Sequence, residues 1–201
     1  MRVGLGTGTT VHHTIMALAE RSLDLRCVST SERTRQLAVS LGLTVVLPDS
    51  VGRLDIVIDG ADEVDSDCNL VKGGGGALTR EKVVAQMTTR FVVVVDETKV
   101  VRSLGAFGVP VEVLDFAPGV VGQRLRDLGA IAVDTMSDRS DNGNLLMRAS
   151  FGSIDEPASL ACSIAELPGV VEHGIFLAPT VERVIVGALD GQVRQLFPPG
   201  R

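Results

Sequence analysis

Val3-Gly4-Leu5 reads as a short apolar strand that runs into Gly6-Thr7-Gly8-Thr9-Thr10. Behind the glycines, Val11, Ile15, Leu18 and Ala19 recur at the spacing of one helical face. The alternation continues downstream. Strands are expected at 25–28, 43–47, 55–59 and 91–95, and helices at 31–41, closed by Gly42, and at 79–90, with Val83, Val84, Met87 and Phe91 at helical spacing. Continuous apolar strands separated by helices indicate a parallel sheet covered on both faces.

The second half changes rhythm. A strand at 111–114 precedes a helix at 118–128 with proline at its start. Strands at 131–135 and 145–151 flank the turn Asp141-Asn142-Gly143, and a helix at 157–167 leads to a strand at 170–176. The order β-α-β-β-α-β is that of ferredoxin-like domains. A further buried strand at 184–189 is expected to rejoin the first sheet. The expected organisation is an α/β catalytic domain of residues 1–109 and 178–201, Rossmann-like, with a mostly parallel sheet and helices on both faces. A small ferredoxin-like α+β domain is inserted at 110–177.

Composition narrows the function classes. Of 201 residues, 45% are hydrophobic and 22% charged, an ordinary globular balance. The formal charge of −6 and the lack of Trp and Tyr argue against a nucleic-acid partner, which would want basic charge and stacking surfaces. The longest purely aliphatic stretch, Val92 to Val95, is far too short for a bilayer. Glycines interrupt the apolar run at the start, so no secretory pattern forms and a cytoplasmic location is expected. Cys27, Cys68 and Cys162 fit neither a disulfide framework nor a zinc pattern. His12, His13 and His173 suggest no metal site.

Four motifs carry chemistry. In Gly6-Thr7-Gly8-Thr9-Thr10, a glycine turn between strand and helix lets backbone N–H groups approach an anion at the positive helix end, and the threonines add donors. A plain tight turn would also use such glycines. The motif lacks the third glycine of a dinucleotide fingerprint and the Gly-Lys-Ser/Thr ending of a P-loop. Asp59-Gly60-Ala61-Asp62-Glu63 ends a buried strand, where ligands of open α/β sheets bind; a turn cap is the plainer alternative. Lys72-Gly73-Gly74-Gly75-Gly76 is costly to order and suits backbone wrapped around a ligand, with Glu81 fixed in the following helix; a flexible loop with Glu81 as an ordinary N-terminal helix charge is the plainer alternative. Asp96-Glu97-Thr98-Lys99 follows another strand, and Lys99 could reach a phosphate; a solvated surface lysine is the plainer alternative. These motifs are expected to converge on one cleft.

Taken together and in this order, the four motifs resemble those of type A ribose-5-phosphate isomerases. The likeness continues through Pro110-Val111-Glu112-Val113, Asp141-Asn142-Gly143-Asn144 and Leu167-Pro168-Gly169-Val170-Val171. It implies interconversion of D-ribose 5-phosphate and D-ribulose 5-phosphate in the non-oxidative pentose phosphate pathway, with no metal or organic cofactor, by a homodimer or homotetramer. It implies Glu81 as the proton acceptor. Thr7, Gly8, Thr9 and Thr10 would bind substrate at the phosphate end, and Asp59, Gly60, Ala61, Asp62, Lys72, Gly73, Gly74, Gly75 and Lys99 would complete its site. Asp59, Asp62 and Lys72 join Glu81 as catalytic candidates, the aspartates for hydroxyl protons or ring opening and Lys72 for the oxyanion.

Members of the family usually carry a helix before the glycine-rich loop, whereas here the loop begins almost at Met1. The expectation is a start further upstream or a chain without that helix. Rival readings are an amino-sugar-phosphate deaminase or lactonase, a sugar-phosphate-binding sensor, and an inactive paralogue of the same fold. The first would commonly use a histidine beside the motifs, and none is expected there. A sensor would need a DNA-binding segment, for which there is no basic helix-turn-helix.

Overall fold

A computed structural model describes residues 1–21 and 23–200. In chain order the elements begin with β1 (Arg2–Leu5), α1 (Thr9–Glu20), β2 (Arg26–Ser29), α2 (Glu32–Ser40), β3 (Thr44–Val45), β4 (Ile56–Asp59), β5 (Glu63–Val64) and β6 (Leu70–Val71). They continue with α3 (Leu78–Gln86), β7 (Phe91–Asp96), β8 (Val109–Val113), α4 (Pro118–Asp127), β9 (Ala132–Arg139) and β10 (Leu145–Ser150). The last are α5 (Pro157–Ala165), β11 (Val170–His173), β12 (Ile175–Phe176), β13 (Arg183–Gly187) and β14 (Val193–Leu196).

The chain divides into two units. The first comprises Met1–Gly60, Arg80–Thr98 and Pro179–Arg201, and the second Ala61–Thr79 and Lys99–Ala178. The second unit thus takes in more chain than the insert of 110–177 read from the sequence. The reason is that β6 pairs with β5 on one side and β12 on the other, which joins residues 63–71 to residues 175–176.

The first unit is built on a sheet ordered β14-β13-β7-β4-β1-β2-β3, parallel except for β14. Order reverses between β1 and β4, where Val3 stands opposite Ile56 on one side and Cys27 on the other. Loops leaving the carboxyl ends of these two strands diverge there, and such a switch point is where open α/β sheets bind ligands. Val3, Leu5, Val11, Ile15, Cys27 and Ala38 form the buried core on this side. Sequence chemistry sets the element ends. Ser31 caps α2 by accepting from the Thr34 amide at 3.1 Å, and Gly42, at φ 82°, turns the chain out of it.

In the second unit β11-β8-β10-β9 form an antiparallel sheet, with α4 and α5 as its connecting helices. This is the expected βαββαβ order, closed over Val109, Val111, Leu125, Met147 and Ile164. A three-stranded sheet, β12-β6-β5, adds to it.

Several elements differ from the sequence reading. The single strand expected at 170–176 is two strands in different sheets, β11 and β12. Gly174 separates them: it donates to the Pro110 carbonyl at 2.7 Å and accepts from Lys72 N at 2.9 Å. A Cβ there would stand 2.2 Å from the Lys72 carbonyl oxygen, so only glycine lets the chains approach. The helix at 79–90 ends at Gln86, and Val83, read as core-facing, is 53% exposed. The strand at 43–47 shortens to Thr44–Val45, because Pro48 opens a short 3-10 turn. Strands β5, β6 and β14 have two to four residues each and give too little periodicity to read.

Candidate active site

In the first unit, the turn after β1 is shaped by a carboxylate. A Cβ on Gly6 would lie 1.9 Å from Asp59 Oδ1, so glycine alone allows Asp59 to pack there. That oxygen accepts from the backbone N–H of Thr7 at 3.1 Å and of Gly60 at 2.7 Å. Asp59 is thereby fixed at the end of β4, and 1% exposed. The Thr7 hydroxyl lies within hydrogen-bond reach of the Thr30, Ser31 and Thr34 hydroxyls, at 2.8, 2.7 and 3.2 Å. Thr34 donates to the Gly6 carbonyl at 2.9 Å, which closes this buried cluster over the turn.

Gly8, at φ 140°, then starts α1 without a side-chain cap, and its first turn holds no acid. The amides of that turn are suited to an anion. A groove of about 420 Å³ adjoins it, lined by Gly8, Thr9, His12, His13, Arg33 and Leu37 among others. This corrects the expectation that no histidine accompanies the motifs: the helix that Thr9 opens carries His12 and His13 into the same groove.

Glu81 is the fourth residue of α3 and is 2% exposed. The unit boundary falls just before it, between Thr79 and Arg80. The glycine run ahead of the helix uses its freedom. Gly73 and Gly76 have φ of 98° and 80°, and Gly76 N donates to the Gly73 carbonyl at 2.9 Å, making a turn that releases the helix. Buried Leu78 anchors the helix start, lying 2.5 Å from where a Cβ on Gly73 would be.

In the second unit, Asp62 and the glycine run come together. Asp62 N donates to the Val71 carbonyl at 2.8 Å, and Asp62 Oδ2 accepts from Gly74 N at 2.8 Å. Lys72 is 2% exposed, and its Nζ stands 4.9 Å from the centre of the Phe176 ring, a cation–π distance. Gly75 is exposed and Ala61 half-buried. Lys99 is half-buried at the end of a single 3-10 turn, Glu97–Lys99, that follows β7.

Two acids that sequence reasoning left without a role hold this region. Glu63 is buried and accepts from the amides of Gly105 at 2.6 Å and Phe107 at 2.7 Å. Phe107 in turn packs where a Cβ on Gly74 would come within 2.6 Å of its ring. Glu112 is 0% exposed. It accepts from Ser140 Oγ at 2.7 Å, Asn144 Nδ2 at 2.7 Å, Asn142 Nδ2 at 3.1 Å and the Thr79 hydroxyl. Burial pushes its carboxyl up, yet the hydrogen bonds from Thr79, Asn144, Ser140 and Asn142 outweigh this and hold it below the ordinary carboxylate value. The legible signal was one acid inside the apolar strand Val109-Pro110-Val111-Glu112-Val113.

Among the described residues, no group of three or more His, Cys, Asp or Glu is arranged to hold a metal ion. Among the same residues, no helix is long and apolar enough to cross a membrane. What the motifs do present is buried carboxylates, one buried lysine and uncapped backbone amides. That is equipment for proton transfer with stabilisation of an oxyanion and an anionic group.

Residues 26–191 match the family model of ribose 5-phosphate isomerase A, also called phosphoriboisomerase A. A protein of Sinorhizobium medicae named ribose-5-phosphate isomerase A is 44% identical over 200 residues, covering 93% of this chain and 87% of the relative. The crystal structure of ribose 5-phosphate isomerase A from Neisseria gonorrhoeae superposes with a TM-score of 0.93 at 33% identity, covering 98% of this chain and 88% of that one. A D-ribose-5-phosphate isomerase in complex with phospho-erythronic acid gives a TM-score of 0.92 at 36% identity, covering 98% and 90%.

Proposed function

The chain belongs to the ribose 5-phosphate isomerase A family, and on that premise we propose that it interconverts D-ribose 5-phosphate and D-ribulose 5-phosphate through an enediolate. The observation that carries this reading is the burial of Asp59, Glu81 and Lys72, at 1%, 2% and 2% exposure, each inside a motif of the family. Burying a charge costs several kcal/mol, which the groups packed around it must offset.

Each group has a role in the reaction. Glu81 takes the proton from C2 of the aldose and returns it at C1. Bond order shifts from the C1 carbonyl to C2 as the enediolate forms and collapses. Lys72 and the backbone amides of Gly73, Gly74 and Gly75 stabilise the negative oxygen that develops. Asp59, its carboxylate fixed by two backbone amides, and Asp62, tied to Gly74, move hydroxyl protons and assist ring opening. Thr7, Gly8, Thr9 and Thr10 receive the phosphate at the uncapped start of α1. Gly60, Ala61 and Lys99 complete the substrate contacts. The relative complexed with phospho-erythronic acid supports the substrate class, since that ligand joins a phosphate to a carboxylate that is planar and anionic, as an enediolate is. The same premise supports a cytoplasmic enzyme of the non-oxidative pentose phosphate pathway, acting as a homodimer or homotetramer without a metal or organic cofactor.

The direct test is to incubate the protein with ribose 5-phosphate and follow ribulose 5-phosphate. Ketose is expected at rates well above the protein-free control, and none would contradict the reading.

A further inference from the structure

We propose that Glu112 is a positioning residue for the proton transfer: through the Thr79 hydroxyl it fixes the first turn of α3, and with it the orientation of Glu81. The proposal rests on the reading of Glu81 as the base.

Glu112 is the fourth of the five residues of β8 and has no solvent exposure. A carboxylate there is tolerated only because donors surround it. Three of them, Ser140, Asn142 and Asn144, belong to the turn between β9 and β10, which closes on itself through Ser140 N and the Asn144 carbonyl at 3.0 Å. The fourth is Thr79, 33 residues earlier and the second residue of α3. If the carboxylate served only the β9–β10 turn, the three local donors would satisfy it. The bond to Thr79 reaches a different element.

The bond gives that element a directional hold. The run Gly73-Gly74-Gly75-Gly76 precedes α3, and glycines restrain the direction of a following helix least of all residues. Leu78 buries an apolar side chain at the helix start, but apolar burial has no preferred direction. A hydrogen bond to an ionised carboxylate is stronger and directional. Thr79 and Glu81 lie two residues apart on one nine-residue helix, so holding the hydroxyl holds the stretch of helix backbone that carries the carboxylate. Proton transfer is sensitive to such placement: a 1 Å error costs on the order of a hundredfold.

The test is steady-state kinetics on ribose 5-phosphate with Thr79→Val, Thr79→Ser and Glu112→Gln, alone and in the Glu81→Gln background. Thr79→Val removes the hydroxyl at nearly constant shape. It is expected to lower kcat roughly tenfold to a hundredfold with a much smaller change in KM, and Thr79→Ser to restore most of the loss. Combining Thr79→Val with Glu112→Gln is expected to cost no more than the worse single change. In Glu81→Gln, Thr79→Val is expected to do nothing further. An unchanged kcat in Thr79→Val, or equal losses in Val and Ser, overturns the proposal. If Glu112→Gln fails to fold, the Val and Ser pair decides alone. Full turnover by Glu81→Gln would sink the assignment of the base. Full turnover by Thr79→Val beside an inert Glu81→Gln would sink only the positioning role.

Discussion

The two glycine-rich segments are held in opposite ways. The turn Gly6-Thr7-Gly8 is clamped by its neighbours in the first unit's sheet: Asp59 from the adjoining strand β4, and Thr30, Ser31 and Thr34 from the end of β2 and the start of α2. The run Gly73-Gly74-Gly75-Gly76 is held within the second unit by Asp62, which accepts from Gly74 N, and by residues from later in the chain, Phe107 against Gly74 and Glu112 on Thr79. In the first segment glycine makes room for a carboxylate that packs on it. In the second, Gly73 and Gly76 supply positive φ, and Asp62 beside the run and Glu112 far along the chain restore the order that glycine gives up.

Adding a methyl group to each segment separates these two designs. Gly6→Ala has no escape, because its Cβ would meet Asp59 Oδ1 at 1.9 Å, and that oxygen is itself pinned by two amides. Overpacking of this kind costs about 3 kcal/mol, which at this chain length lowers the melting temperature by roughly 6–12 °C. Gly74→Ala meets the end of the half-buried Phe107 ring at 2.6 Å, a side chain that can turn aside, and the Asp62 carboxylate oxygens less closely, at 2.9 and 3.0 Å. A loss of about 1 kcal/mol is expected, and Phe107→Ala in the same chain should recover part of it. Equal losses in thermal melts of the two alanine variants would erase the distinction.

Acid offers a finer probe of the second segment. Hydrogen bonds hold the Glu112 carboxyl below its ordinary value of 4.5 in the folded chain. A depressed folded-state value means its contribution to stability is fully present above the unfolded value and is lost as pH falls through the folded one. The melting-temperature gap between wild type and Glu112→Gln is therefore expected to be widest above pH 4.5 and to close as pH falls below it. A gap independent of pH would show that the carboxylate is not ionised in its cage.

The same contrast explains what was legible in the sequence. Asp59 and the Gly6–Thr10 turn could be read because each follows an apolar strand, and a parallel sheet brings strand ends together by rule. Glu81 could be read as a carboxylate fixed on a helix because a glycine run before a helix is rare and expensive. Glu63 and Glu112 could not be given a role, since their partners lie 28–44 residues further along, apart from Thr79, and no local spacing encodes such pairings. The break at Gly174 was hidden for the same reason: its need for glycine comes from Lys72 and Pro110, far away in sequence. Val83 misled because a β-branched apolar residue at helical spacing looks like core, yet it faces solvent. Short strands such as β5 and β6 exist through their partners alone.

The central claim is that Glu81 carries the proton, and Glu81→Gln tests it most directly. The amide keeps the shape of the side chain and removes the base. Turnover of ribose 5-phosphate is expected to fall by roughly 10²–10⁴-fold with a much smaller change in KM, because the lost group acts in the transition state. Wild-type kcat in a folded Glu81→Gln protein would contradict it.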